Sequence, residues 1–437
     1  MNDIEWGWDN ARALLGIVLI YGICWLLSES KKKLPWRIIL GATAIQIAFA
    51  LSLYGVPPLR MGLENAGVVV DQLQAAARAG TNFVFGWVGD NTVANSTLVT
   101  QVDPATGQAK FLPPLFFFQI LPLIIVVAAL SAMLWHWHIL RWITKGFAII
   151  FSRTMGLGGA TSLAVSANVF MGMTEAPVLI KPYIPRMTRS EVFIVMTAGF
   201  ATIAGSVLVI YVTFLAPVMA NPLPQLLVAS LMAAPAAVAV AMTIVPETVN
   251  IKERASEPDF EYHSTMDAFA TGASDGMKIV LNIATMLIAA LALLYIVNAI
   301  LGAFPAVWGE PLSLQRILGW MFAPLMYMIG VPMEEAAKAG SILGVKTVLT
   351  EFVAFIDLSA IPVEEMSDRT RRIVANAVCG FANFGSVGIL IGGLTIIAPE
   401  KREVFLSLAW KTLIAGTFAT CLSGAIVGLL PASLFAG

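Results

Sequence analysis

Two Thr-Glu pairs interrupt an otherwise apolar chain, Thr174-Glu175 and Thr350-Glu351. A carboxylate at the centre of a membrane helix costs roughly 2.5 to 3.5 kcal/mol, so each glutamate needs a partner, a proton or a water-filled cavity. Other polar residues gather around both pairs. Asn168 and Gly172 precede the first, Thr202 and Ser206 follow it, and Phe381, Asn383 and Ser386 follow the second. Carboxylates accept hydrogen bonds from hydroxyls, while neutral side-chain and carbonyl oxygens suit a hard monovalent cation. This inventory fits a neutral ligand with several hydroxyls and a flat ring, such as a sugar attached to an aromatic base, with a coupling ion near Asn168 and Thr202. Plainer readings stay open. Each glutamate could cap a neighbouring helix or pair with a lysine such as Lys181 or Lys346, Asn168 could make an interhelical hydrogen bond worth on the order of 1 kcal/mol, and Phe381 could be packing.

Catalytic chemistry finds little support. The histidines, His136, His138 and His263, lie outside the apolar runs, so intramembrane Ser-His chemistry has no base. Cys24, Cys379 and Cys421 lie inside apolar runs and read as small buried hydrophobes, not as a metal or disulfide set. Gly344-Val345-Lys346-Thr347 has valine where a phosphate loop needs glycine. No enzyme is expected. A channel for small polar solutes remains the competing class, although two glutamate-tipped hairpins suit occlusion better than a continuous pore.

The elements that position these residues follow from composition. The chain has 437 residues, 58% hydrophobic and only 12% charged, against roughly 25% charge in a soluble chain. A multi-pass membrane protein is expected, and no basic stripe suggests nucleic acid as a partner. Apolar stretches place spans near 13–28, 38–54, 115–135, 191–215, 223–245, 279–303, 373–397 and 404–430. Basic residues after the first and third spans and before the eighth mark cytoplasmic faces and put both termini outside. The first run follows acidic residues and precedes Lys31, Lys32 and Lys33, the reverse of a secretory signal, and reads as a retained helix. Segment 56–112 is too polar to span, and its Asn95-Ser96-Thr97 sequon reads as chance. Loop 246–278 is expected to be cytoplasmic and partly an interfacial helix, and 314–331, broken by Pro324, to be interfacial.

Residues 156–186 and 333–366 contain half-length apolar pieces stopped by prolines or polar points, the signature of re-entrant hairpins. The two regions repeat each other. Thr174-Glu175 is followed 24 residues later by Gly199-Phe200-Ala201-Thr202, then Gly205-Ser206-Val207; Thr350-Glu351 is followed 29 residues later by Gly380-Phe381-Ala382-Asn383, then Gly385-Ser386-Val387. By the span count the first hairpin enters from the cytoplasm and the second from outside. Inverted repeats with paired interrupted helices point to a transporter's midplane site.

The string from Asn168 to Tyr211, NVFMGMTEAPVLIKPYIPRMTRSEVFIVMTAGFATIAGSVLVIY, resembles the signature of the concentrative nucleoside transporter family. GVKTVLTEFVAF and CGFANFGSVGILIGGL resemble that family's later stretches in the right order. The resemblance implies an all-α polytopic membrane protein with eight transmembrane helices, three interfacial helices and two re-entrant hairpins in inverted repeats. It implies a homotrimer in the lipid bilayer of the inner (plasma) membrane, importing nucleosides such as uridine, cytidine and adenosine by an elevator motion coupled to a cation. The implied organisation is a scaffold segment 1–137, a first transport repeat 138–245, an interfacial and scaffold segment 246–312, and a second transport repeat 313–437. Carried over, Gly172, Met173, Thr174 and Glu175 with Val207 would meet the base. Glu351, Asn383 and Ser386 would take the ribose hydroxyls, and Phe381 would line the pocket. Asn168, the Thr202 side chain and the carbonyls of Met171 and Ile203 would hold sodium, and no other cofactor is implied. Family members commonly have glutamine where this chain has Met173, so base preference does not transfer. Proton-coupled members lack the asparagine found here at 168, which favours sodium over the proton alternative.

Overall fold

Prolines, glycines and capping residues cut the apolar sequence into short and long helices, and the cuts place the polar residues. The computed structural model describes residues 7–31, 34–55, 57–89, 99–102, 109–111, 115–247, 262–307 and 309–431. In order, the elements are α1 (Trp8–Leu26), α2 (Trp36–Gly55), α3 (Pro57–Phe85), β1 (Val99–Val102), β2 (Ala109–Phe111), α4 (Leu123–His136), α5 (Ile139–Met155) and α6 (Gly159–Asn168). They continue as α7 (Arg189–Ala201), α8 (Gly205–Leu215), α9 (Pro222–Ile244), α10 (Thr265–Gly302), α11 (Leu314–Met328) and α12 (Met333–Val348). The last four are α13 (Glu351–Ala360), α14 (Asp368–Val378), α15 (Phe384–Ile397) and α16 (Arg402–Leu429). Among the described residues the regular structure is helical apart from the short antiparallel pair β1–β2 and a lone Val307–Glu310 bridge, which composition gave no reason to expect.

Among the described residues, six helical stretches are long and apolar enough to cross a membrane: Trp8–Leu26, Phe116–His136, Arg189–Leu215, Pro222–Ile244, Thr265–Gly302 and Pro399–Leu429. Trp36–Ser52 and Phe384–Ile397 are apolar but shorter. The protein is therefore a multi-pass membrane protein. The segment read as interfacial, 314–331, forms α11 and then turns by 119° into α12. Gly330 makes that turn at φ 106, a conformation open to glycine. One expectation needs correcting. Of the expected loop 246–278, residues 248–261 lie outside the described residues, and 265–278 are not loop but the first turns of α10, a single helix of 38 residues. Asp275 and Lys278, within the expected loop range, pair along one helix face at 2.7 Å. The Asn95 sequon lies outside the described residues.

The chain divides into two compact units. One holds residues 64–141 and 261–286. There α10 lies against α4 so closely that a Cβ on Gly276 would stand 2.7 Å from the Ile125 Cα. The other holds 1–63, 142–260 and 287–437, and with them every residue singled out above for ligand or ion. Its centre is α9, buried along almost its whole length. The three cysteines are buried free thiols, as the sequence suggested.

Candidate functional site

Each repeat contains a helix that stops and restarts. In the first, Thr188 and Glu191 start α7 with a reciprocal cap, the Thr188 hydroxyl accepting from the Glu191 amide at 3.1 Å and the Glu191 carboxylate from the Thr188 amide at 3.0 Å. The helix stops at Thr202, whose backbone is extended, and resumes as α8 at Gly205. A break inside a bilayer must find partners for the peptide groups it frees. Here the Thr202 hydroxyl donates to the Ala198 carbonyl at 2.8 Å. The Gly205 amide donates to the Phe170 carbonyl of the first hairpin at 3.1 Å, which ties the break to that hairpin.

In the second repeat, α14 ends at Val378 and α15 begins at Phe384. Asn383 caps α15, its side-chain oxygen accepting from the Ser386 amide at 2.8 Å. The two breaks lie against each other: a Cβ on Gly380 would stand 2.8 Å from the carbonyl oxygens of both Phe200 and Ala201. Glycine is needed there because no side chain fits. Helix α16 runs past both, with Gly416 facing Phe200 and Ala382.

The first hairpin is one helical arm, α6, followed by 3-10 turns at Ala176–Ile180 and Ile184–Arg186. Pro177, Pro182 and Pro185 account for the missing second α-helix, since each removes a helical donor. At its tip the Gly172 amide donates to the Glu175 carboxylate at 3.0 Å, so this glutamate is folded back on its own loop. Met173 is buried, packed beside Gly199 of α7 together with the Asn168 side chain. Thr174 meets α15 at Gly393, where a Cβ would lie 2.8 Å from the threonine methyl. Asn168 is 0% exposed, and both its side-chain oxygen and nitrogen lack a hydrogen-bond partner. A buried amide oxygen left this way, beside Gly199 near the end of α7, where Thr202 and Ile203 of the break are themselves buried, fits a small hard cation held by neutral oxygens. Met171, whose carbonyl belongs to the same expected set, is half-buried.

The second hairpin has two true helical arms, α12 and α13. Thr350 caps α13, accepting from the Val353 amide at 3.3 Å, and Glu351 is the first residue of that helix. A carboxylate there is favoured by the helix dipole. Glu351 is 4% exposed. One carboxylate oxygen accepts from the Tyr211 hydroxyl of α8 at 3.1 Å and the other from the Asn383 amide at 2.9 Å. Tyr211 also stacks on Phe355 at 4.3 Å and meets Phe352 edge-on at 4.9 Å. The base of this hairpin is fixed by Arg371 of α14, 1% exposed, whose guanidinium donates to the carbonyls of Leu358, Ile361, Pro362 and Met366.

The structure thus joins Glu351, Asn383 and Ser386 directly, and Asn168 and Met173 to Gly199, three residues before the α7 break. Val207 is buried on α8, and Phe381 is half-buried at the second break, where its carbonyl accepts from the Asn383 amide at 2.9 Å. Sequence reasoning did not single out Tyr211. Its signal was a hydroxyl inside the apolar run Val207–Tyr211, since a buried tyrosine usually finds a polar partner.

Comparison with known proteins finds three matching family models. "Na+ dependent nucleoside transporter N-terminus" matches residues 15–88, "Nucleoside recognition" 117–218, and "Na+ dependent nucleoside transporter C-terminus" 225–428. The nucleoside permease NupC of Helicobacter pylori is 34% identical over 95% of this chain and 97% of its own length. Sodium/nucleoside cotransporter 1 of Rattus norvegicus is 32% identical over 97% of this chain and 65% of its own length. A solved structure of CNTnw in an inward-facing, substrate-bound state is 36% identical and superposes with a TM-score of 0.84, covering 96% of this chain and 98% of CNTnw.

Proposed function

This chain belongs to the concentrative nucleoside transporter family, and we propose that it works as a sodium-coupled nucleoside symporter of the inner membrane. The observation that carries this reading is the pair of adjoining helix breaks, one beside a buried amide oxygen without a partner and the other beside a buried carboxylate. Asn168, Thr202 and the carbonyls of Met171 and Ile203 would hold the sodium ion. Glu351, Asn383 and Ser386 would take the ribose hydroxyls, and Gly172, Met173, Thr174, Glu175 and Val207 would meet the base, with Phe381 lining the pocket.

Coupling follows from position. The Gly205 amide ties the first break to the first hairpin through Phe170. An ion bound beside that break would therefore hold Thr174 and Glu175 in one geometry. Ion and nucleoside would then raise each other's affinity by equal factors. A membrane potential adds about 2.3 kcal/mol per charge per 100 mV to the drive for accumulation. In this reading the protein is a homotrimer with eight crossings. Hairpins and broken helices move as an elevator against a scaffold, with segments 138–245 and 313–437 as transport repeats and 1–137 and 246–312 as scaffold.

The test is uptake of radiolabelled uridine, cytidine and adenosine into vesicles reconstituted with the protein, in sodium against choline at two pH values. Uphill accumulation on an imposed inward sodium gradient is expected, with inward-directed acid in choline ineffective. Accumulation driven by acid in choline would make the coupling ion a proton. Equilibration at any gradient would make the protein a facilitator. Competition among the three nucleosides gives the base preference that Met173 leaves open.

A further inference from the structure

Among the described residues, the buried side chains whose polar atoms all lack a hydrogen-bond partner include Asn168 in the first repeat and Lys346 in the second, the latter a cation. Lys346 lies in the last turn of α12, five residues before Glu351, and is 0% exposed. An ammonium buried without a hydrogen bond is costly unless another charge compensates it. Among the described residues, the ionisable groups whose charge acts on it are Cys421 on α16, Glu351 on α13 and Cys379 after α14; Tyr211 faces Glu351 from α8. Of these only the glutamate is an acid of the strength that ionises at neutral pH. Glu351 in turn receives hydrogen bonds from two neutral donors, Tyr211 and Asn383, which orient the carboxylate without balancing its charge. The end of α12 helps as well, because a helix C-terminus favours a cation in its last turn.

We infer that Lys346 is a tethered counter-cation for Glu351. It neutralises the second hairpin's carboxylate from a distance and occupies neither carboxylate oxygen, so lone pairs on both stay available to a hydroxyl-bearing ligand. The second repeat thereby meets with a fixed side chain the need that an exchangeable ion meets in the first. Lys346 is a positioning residue. The functional half of this inference rests on the proposed role of Glu351; the charge pairing does not.

Thermal unfolding of the purified full-length protein, without nucleoside, tests the pairing. Lys346→Met and Glu351→Gln should each lower the midpoint by about 3 °C or more, because each leaves one buried charge unbalanced. The double variant should recover at least half of the larger loss. A double variant whose midpoint falls by the sum of the two single losses would overturn the inference, since a lysine that only packs or caps α12 predicts that sum. If Lys346→Met alone yields no folded protein, the criterion becomes recovery of monodisperse protein on adding Glu351→Gln, and failure to recover overturns the pairing. In vesicles, Lys346→Met should raise the nucleoside KM about tenfold while the sodium concentration for half-maximal uptake stays within about twofold; an unchanged nucleoside KM would remove the positioning role. Wild-type vesicles that take up no nucleoside would defeat the transport reading and leave the unfolding result to decide the pairing.

Discussion

The two hairpins begin from the same Thr-Glu dipeptide and end as different devices. After Glu175 come Ala176 and Pro177, and the chain leaves the tip in 3-10 turns, with the glutamate bonded to the Gly172 amide of its own loop. After Glu351 come Phe352, Val353 and Ala354, and the chain leaves in an α-helix capped by Thr350. There the carboxylate is bonded across the fold to Tyr211 and Asn383. The prolines decide the difference, because they remove the amides a second helical arm would need. A half-buried glutamate on a loop can turn toward a ligand, whereas a buried one at a helix start is fixed before the ligand arrives. The first hairpin thus suits adaptable base contacts and an exchangeable ion. The second suits preset hydroxyl recognition.

The largest expected effect breaks or keeps this contrast. Glu351→Gln should lower nucleoside uptake by about 100-fold, since hydrogen bonds to a charged group contribute about 1.5 to 3 kcal/mol each and two or more are changed. Glu175→Gln should cost about tenfold or less. Equal losses in initial-rate uptake, or the reverse order, would erase the distinction between a preset and an adaptable carboxylate. Next in size, Asn168→Ala should raise the sodium concentration for half-maximal uptake by about tenfold, while nucleoside KM at saturating sodium moves much less. A sodium activation curve unchanged in that variant would place the ion elsewhere.

Much of this arrangement was legible in the chain because it is written in local chemistry. Gly199-Phe200-Ala201-Thr202 and Gly380-Phe381-Ala382-Asn383 each end an apolar helix with a residue that can hydrogen-bond its own backbone, and both become breaks. The prolines after Glu175 announced a re-entrant hairpin, and the structure adds that its second arm is 3-10 turns instead of an α-helix. What stayed hidden depends on residues far apart in sequence. Tyr211 meets a carboxylate 140 positions away, and inside an apolar run its ring reads as packing. Lys346 was weighed as a direct partner of a glutamate, whereas its ammonium is buried without any hydrogen bond. Arg371 gathers the carbonyls of Leu358 and Ile361 at the end of α13, a contact that nothing in its local sequence marks. The start of α10 was hidden because the polar run from Glu247 to Glu261 extends the loop reading to 278, although charges three apart such as Asp275 and Lys278 suit a solvated helix face.

The smallest effect comes from a third carboxylate, whose direct hydrogen-bond partners are cations where the other two have neutral donors. Glu29, in the turn after α1, is exposed enough to keep much of its hydration, yet two cations grip it: Arg189 at the start of α7 at 2.9 Å and Lys411 of α16 at 2.6 Å. The hydrogen bond from Arg189 is the largest influence, and with Lys411 it holds the Glu29 carboxyl down to about 2 from its ordinary 4.5, against the opposing pull of partial burial. A group whose folded pKa is depressed contributes stability above its unfolded value and loses it as pH falls toward the folded one. Solvent screening keeps the gain small, so Glu29→Gln should cost less than about 1 kcal/mol at pH 7. The gap between wild-type and variant unfolding midpoints should then narrow as pH falls below 4.5 toward 2. It should also shrink in high salt, as a surface ion pair must. A gap that ignores both pH and salt would mean that Glu29 joins the two repeats by packing. The contrast between a buried carboxylate at Glu351 that is hydrogen-bonded only by neutral donors and an exposed one bonded directly by cations would then lose its electrostatic basis.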